Sequence, residues 1–259
     1  MRLLLLDAAD AVGGRRNDLV PPRSAIESIG GLNFVEIGRE LAQTAITFGR
    51  ISPSSRVLDV GCGYGRVAVP LLDHLVDGRY DGFDISKGAI RWCQDHITAR
   101  NARFRFLHAD VRNRHYNARG HIEAEQFSFP YADNSMDHVF AASLFTHLMP
   151  GATRRYVEES ARVLSTGGRF VASFFLLNAE SRAAALARRG EPKFEVIDGD
   201  VAYQHASDPE AAVAISESSV QGVLNEAGLD IEGVQYGTWC ERPNGTGYQD
   251  FVVAVKSRT

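Results

Sequence analysis

The sequence predicts an α/β fold in which a parallel sheet is covered by helices on both faces. Three observations carry that expectation. Short apolar runs alternate with segments of three- and four-residue apolar spacing from about residue 56 onward, and one of those runs feeds directly into three alternating glycines. With 259 residues, 44% of them hydrophobic and 23% charged, the chain is long and apolar enough to bury one large core.

Residues 1–30, with Gly13-Gly14, Arg15-Arg16, Pro21-Pro22 and then Gly30-Gly31, show little periodicity and read as an N-terminal arm. Phe34, Ile37, Leu41, Ala45 and Phe48 then recur at helical steps, and Gly49 with Pro53 is expected to end that helix. A strand at 56–60 precedes a helix at 65–76, with Pro70 in its early turns, where a missing N–H is best tolerated. After a strand at 80–85, Ser86 reads as the N-cap of a helix with Ala89, Ile90, Cys93 and Ile97 on one face. Strands at 103–107 and 137–142 follow, then a helix at 152–164 turning Val157, Ala161 and Leu164 inward, and a strand at 169–176 after Gly167-Gly168. Residues 178–216 interrupt the alternation with an Ala/Arg-rich helix, Pro192 and a mixed stretch, read as an insertion over the carboxyl edge of the sheet. A helix at 217–227, stopped by Gly228, and strands at 231–239 and 248–255 close the chain, the two strands as an antiparallel hairpin at the sheet edge.

Charge and cysteine usage exclude several classes. Twenty-eight Lys and Arg against 32 Asp and Glu leave a net charge of −4, so no global positive field draws the protein to nucleic acid or anionic lipid. The apolar opening at residues 3–6 is too short for a signal-peptide core or a membrane span, and a cytoplasmic protein is expected. Cys62, Cys93 and Cys240 are scattered, which supports neither a disulfide framework nor a structural zinc site; Cys93 is expected to be a small buried hydrophobe.

The run Val57-Leu58-Asp59-Val60-Gly61-Cys62-Gly63-Tyr64-Gly65-Arg66 takes a buried strand into a tight turn that lets a ligand approach the backbone. Asp84 lies 19 residues after Gly65 at the end of the next strand, where a carboxylate accepts hydrogen bonds from ribose hydroxyls. Its competing role is to cap the helix that Ser86 opens. Charge then separates the cofactors. A dinucleotide would set its pyrophosphate near Asp59, whereas S-adenosylmethionine brings a sulfonium and an ammonium that a carboxylate favours. Asp59 can equally bond N–H groups of the loop, and the two roles are compatible.

The run VLDVGCGYGR resembles motif I of class I S-adenosylmethionine-dependent methyltransferases. Further stretches follow in that family's order: YDGFDIS with Asp84, LHADVRN with Asp110, FPYADNSMDHVFAASLFTHL, RVLSTGGRFVASFF and the closing hairpin. The resemblance covers about residues 34–259. It implies a doubly wound, seven-stranded, mostly parallel sheet with one antiparallel strand, within a domain over 31–259. The cofactor half would span about 51–142, with acceptor-side insertions at about 112–127 and 178–216. S-adenosylmethionine is the implied cofactor, held by Asp59, Gly61, Gly63, Gly65, Arg66, Asp84 and Ile85. Asp110 with Val111 would meet its adenine, an Asx turn being the competing role of Asp110.

Methyl transfer is an in-line displacement at carbon, so the acceptor side must hold a lone pair behind the methyl group with water excluded. Members of the superfamily that methylate nucleobase or peptide amines often carry an Asn/Asp-Pro-Pro-aromatic run after the fourth strand. Here the positions read Ala141-Ala142-Ser143-Leu144, which argues against that class and leaves Ser143 as an acceptor-side residue. His147 follows just past the same strand end. An imidazole with a pKa of about 6.5 suits the proton that a hydroxyl must lose, so His147 is the candidate general base, against a histidine that only shapes the pocket. The donor-rich stretch from Arg112 to His121 offers His115 and Tyr116 to an acceptor, against a solvated loop with Tyr116 packed beneath it. It resembles F-x-H-x-D-V-x-N-x-x-Y-N stretches of actinobacterial methyltransferases acting in sugar and secondary-metabolite pathways. Glu123 and Glu125 lack the His/Asp set of a metal centre, and no metal is expected. The expected activity is therefore methylation of a hydroxyl on a small polar acceptor, a sugar or oligosaccharide. The competing readings are a nicotinamide oxidoreductase, against which Asp59 and the Gly-x-Gly-x-Gly spacing count, and a non-catalytic S-adenosylmethionine-binding regulatory protein.

Overall fold

The computed structural model describes residues 17–28 and 33–257. Gly13-Gly14, Arg15-Arg16 and Gly30-Gly31 of the arm lie outside them. Within the arm, Arg23–Ser28 form a helix, α1, that weak periodicity did not disclose. Pro22 precedes it and its carbonyl accepts the N–H groups of Ala25 and Ile26. The protein is mixed α/β with a seven-stranded, mostly parallel sheet, as expected. Its chain divides into two compact units, Met1–Ala109 and Asp110–Thr259.

In the first unit, α2 (Phe34–Gly49) buries Phe34, Gly38, Ala42 and Ala45 as one stripe, with the Asn33 side chain accepting from the Glu36 N–H. Gly49 stays inside the last turn, and it is Arg50 that turns left-handed, at φ 55°, to end the helix. Strand β1 (Arg56–Val60) leads to a much shorter helix than the spacing predicts: α3 is Ala68–Leu71 only. Pro70 has no N–H to offer the Arg66 carbonyl, and that carbonyl sits only 2.6 Å from where a Cβ on Gly38 would lie. The following turns close through three-residue bonds, Leu72 N–H to Val69 and His74 N–H to Leu71. Strand β2 (Arg79–Asp84) pairs in parallel with β1. Ser86 then caps α4 (Lys87–Cys93), which widens into a π turn at Gln94–Thr98, with Ala89, Ile90, Cys93 and Ile97 all buried as expected. Strand β3 (Phe104–His108) pairs in parallel with β2, and Tyr80 stacks on Phe104 at 5.2 Å.

The second unit holds β4 (Met136–Ala141), α5 (Pro150–Val163) and β5 (Leu164–Phe174), with β4 and β5 parallel and Val157, Ala161 and Leu164 buried. The 178–216 insertion departs from expectation. After β6 (Leu176–Leu177) and α6 (Ala179–Leu186), it forms three strands, β7 (Val196–Asp198), β8 (Val201–His205) and β9 (Asp208–Ser216). Together with β6 they make a second sheet of four strands in the order β6-β9-β8-β7. Helix α7 (Glu217–Glu226) follows, then β10 (Leu229–Gln235) and β11 (Asp250–Lys256), both shorter than the expected hairpin strands. Strand β11 runs antiparallel to β10 and to β5, which is the single reversal the resemblance implied. Beside the second sheet, Phe175, Phe194, Ala202, Ala214 and Trp239 share one apolar cluster. The fully buried Asp250 accepts from Trp239 Nε1 (2.7 Å), Arg242 and the N–H groups of Leu176 and Gly237, so its carboxylate lies in the interior fully engaged. Among the described residues no helix is long and apolar enough to cross a membrane.

Candidate active site

In the first unit, the glycine loop adopts the backbone that its residues allow. Gly61, Gly63 and Gly65 have φ of 78°, 51° and 70°, a region that side chains rarely enter. The N–H groups of Gly61 and Cys62 bond the Phe83 carbonyl, which ties the loop to the end of β2. The Gly63 N–H donates to Asp84 Oδ2 (2.8 Å) and the Ser86 N–H to Asp84 Oδ1 (2.7 Å). Asp84 thus pins the loop with one oxygen and turns the chain toward α4 with the other, while Ser86 itself caps the helix. With Ile85 as a third backbone donor, the carboxylate still keeps lone-pair capacity for a ligand hydroxyl. Burial pushes the Asp84 pKa up, and the N–H bonds pull against it.

Asp59 is buried, and the Tyr80 hydroxyl donates to its Oδ2. Burial pushes this carboxyl to about 7; the Tyr80 bond opposes the rise and the negative charge of Asp84 adds to it. Gly65 has a packing reason of its own: a Cβ there would lie 2.5 Å from Ile97 Cδ1 and 3.2 Å from Cys93 Sγ. The Arg66 guanidinium lies 5.8 Å from the centre of the Phe34 ring, against α2. Ile85 is half-buried, and its carbonyl accepts from His108 Nε2 at 3.2 Å. Cys93 is buried, its thiol donating to the Gly63 carbonyl at 3.5 Å. Left-handed glycines beside two carboxylates suit an adenosyl group that carries cations and no phosphate. Asp59, Gly61, Gly63 and Asp84 are the residues that would hold it.

In the second unit, the loop after Asp110 closes on itself. The Asp110 carbonyl accepts the N–H groups of His121 and Ile122, and its carboxylate accepts from His121 Nδ1 (2.5 Å) and Asn117 Nδ2 (3.4 Å). Val111 is buried and bridges to Ile122. Asn113, which sequence reasoning missed, is the pin of the site. Its Oδ1 accepts the N–H groups of His115 and Tyr116, and its Nδ2 donates to the His147 carbonyl at 3.0 Å. An Asx-turn pattern at Asn113-Arg114-His115 is the sequence signal that could have found it.

That pin brings His115, Tyr116 and His147 together. The imidazoles of His115 and His147 lie nearly parallel, 6.3 Å apart, and the Tyr116 ring stands edge-on to each. His115 Nδ1 donates to Asp208 Oδ2 at 2.7 Å, and His147 Nδ1 to the Glu210 carbonyl at 2.9 Å. Asp208 and Glu210 stand on β9, so the insertion supplies the partner of each imidazole Nδ1. Burial lowers the His147 pKa, and the nearby His115 adds to that lowering against the pull of the Glu210 carbonyl. Ser143 belongs to another network: its backbone turns left-handed at φ 56°, and its hydroxyl donates to Gln249 Oε1 (3.0 Å), which also accepts from Ser173.

Residues 57–168, less than half of the chain, match the family described as a methyltransferase domain. Methyltransferase GfsG of Streptomyces halstedii is 28% identical over 136 residues, 52% of this chain and 43% of that protein. Malonyl-(acyl-carrier protein) O-methyltransferase of Acetivibrio thermocellus is 26% identical over 129 residues, 44% of this chain and 45% of that protein. The chain thus spans less than half the length of these curated relatives. Among solved structures, a SAM-dependent methyltransferase of Methanosarcina mazei shares the fold with a TM-score of 0.55 at 19% identity, over 81% of this chain and 95% of that one. The segment 57–168 is thus similar to a methyltransferase domain, and the solved structure shows the shared fold.

Proposed function

We propose that this chain is an S-adenosylmethionine-dependent O-methyltransferase that transfers a methyl group to a hydroxyl of a small polar acceptor, a sugar or oligosaccharide. The observation that carries the oxygen acceptor is the state of His147. A backbone carbonyl accepts its Nδ1–H, so in the neutral ring the lone pair lies on Nε2, beside the Tyr116 hydroxyl. An amine acceptor instead calls for carbonyls that accept its hydrogens, and the Ala141-Ala142-Ser143-Leu144 turn offers no such run. One of the similar relatives is itself named an O-methyltransferase.

In this reading Gly61, Gly63 and Asp84 hold the adenosine, Asp59 attracts the cofactor's cationic end, and Asp110 with Val111 meets the adenine. When bound, the cofactor supplies an electrophilic methyl group. His115 and Tyr116 orient the acceptor, Ser143 with Gln249 shapes its site, and His147 accepts the hydroxyl proton. The insertions at 112–127 and 178–216 form the acceptor side, and the donor-rich rings supported by Asp208 and Glu210 suit the hydroxyls of a carbohydrate.

The test is S-adenosylhomocysteine release against a panel of mono- and oligosaccharides, phenols and amines, preceded by thermal melts with each cofactor. Stabilisation by S-adenosylmethionine and turnover with saccharides are expected. Turnover confined to amines would overturn the oxygen acceptor, and stabilisation by a nicotinamide dinucleotide alone would overturn the cofactor.

A further inference from the structure

His147 can receive a proton at one nitrogen only. The Glu210 carbonyl opposite Nδ1 can only accept, so the neutral ring keeps its hydrogen there and its lone pair on Nε2. The group facing Nε2 is the Tyr116 hydroxyl at 3.4 Å, which therefore donates. Tyr116 is 49% exposed, whereas His147 is half-buried. Of the two, Tyr116 offers the larger surface to an acceptor arriving from solvent. One amide, Asn113, holds both partners, through the N–H of Tyr116 (2.9 Å) and the carbonyl of His147 (3.0 Å). The Tyr116 ring is further fixed edge-on against His115 at 4.6 Å and His147 at 5.0 Å.

We propose that Tyr116 is a proton relay between the acceptor hydroxyl and His147, an inference that rests on the O-methyl transfer proposed above. As the acceptor oxygen bonds the methyl carbon and the carbon–sulfur bond breaks, the acceptor's proton passes to the Tyr116 oxygen. The proton that Tyr116 held moves to His147 Nε2. Tyr116 ends as a neutral phenol, the sulfonium has become a neutral thioether, and the positive charge resides on the His147 imidazolium. The charged and titratable groups that act on that imidazolium are His115 and its partner Asp208; Glu210 reaches it through its backbone carbonyl, and its carboxyl accepts the Arg114 N–H instead. The 3.4 Å separation is long for a working hydrogen bond, as is common before the substrate tightens a site.

Tyr116→Phe keeps the ring and removes the hydroxyl. Its melting temperature and S-adenosylhomocysteine affinity should match the wild type, while turnover at saturating acceptor should fall about 100-fold or more. A second readout needs neither cofactor nor acceptor: the nitrogen-15 shift of His147 Nε2 should move toward that of a lone pair without a donor. Turnover within about threefold of wild type, or an unmoved Nε2 shift, would overturn the relay. So would a pH profile in which His115→Gln removes the acid limb and Tyr116→Phe does not, since the proton would then go to the His115–Asp208 pair. Wild-type protein that turns over no hydroxyl acceptor at all would defeat the proposed function and the relay with it, whereas a wild type that turns over such an acceptor and a Phe variant that keeps pace with it defeat only the relay.

Discussion

The hydroxyl of Tyr80 on β2 donates to the buried carboxylate of Asp59 on β1. Burial still leaves Asp59 at about 7 against an ordinary 3.8, so the folded protein holds this proton more tightly than the unfolded chain does. The contribution of Asp59 to stability is therefore fully present below the unfolded value and is lost as pH rises through about 7. Asp59→Asn should remove this component: denaturant melts should show a smaller loss between about pH 5 and pH 8 than in the wild type. The same variant should bind S-adenosylmethionine more weakly, because the cation loses its carboxylate. Equal pH slopes in the two proteins would show that Asp59 is ionised in the fold.

Asp84 serves the loop and, as proposed, the ribose. Asp84→Ala frees the N–H groups of Gly63 and Ser86 and should lower both melting temperature and cofactor affinity, the latter by about 1.5–3 kcal/mol, the scale of a hydrogen bond to a charged group. Calorimetric titration of the folded variant separates the two effects. Affinity equal to wild type would confine Asp84 to pinning the loop.

Gly65→Ala should destabilise the protein by about 1–3 kcal/mol, since it combines a left-handed backbone with overpacking against Ile97. The clashing atom is Ile97 Cδ1, which Ile97→Val removes. The double variant should consequently lose less than the sum of the single losses. Strict additivity in denaturant melts would show that backbone strain alone sets the cost.

His147→Ala should lower turnover by about 100- to 10,000-fold while leaving cofactor binding nearly unchanged. Because burial lowers the His147 pKa, the acid limb of the wild-type rate should lie on the acid side of the ordinary histidine value. The variant should lack this acid limb. A His147→Ala protein with altered acceptor affinity but near-normal turnover would reduce His147 to shaping the site.

Much of this architecture was legible because local pattern and tertiary environment agree. The strand expected at 56–60 is β1 to the residue, and the helical spacing from Phe34 is met by α2. They disagree at 65–76, where Val67, Leu71 and Leu75 keep helical spacing and are buried, yet Pro70 and the close approach of Gly38 to Arg66 interrupt the ladder. The strands of the insertion were hidden because pairing defines them: β7 has three residues and exists through its register with β8. In the site, the glycines and Asp84 carry their conformational meaning locally. Asp208 and Glu210 do not, since their partners His115 and His147 lie 93 and 63 residues away in the chain.

Asn113 and Asn117 exchange backbone N–H and carbonyl bonds, so Arg114, His115 and Tyr116 form the tip of a turn closed at its own base. The closure uses main-chain atoms of the two asparagines and no side chain from the tip. Residues at such a tip can be exchanged while the scaffold beneath stays in register. Selection, or a library randomised at positions 115 and 116, therefore has a two-residue cassette through which chemistry can drift while the fold stands still.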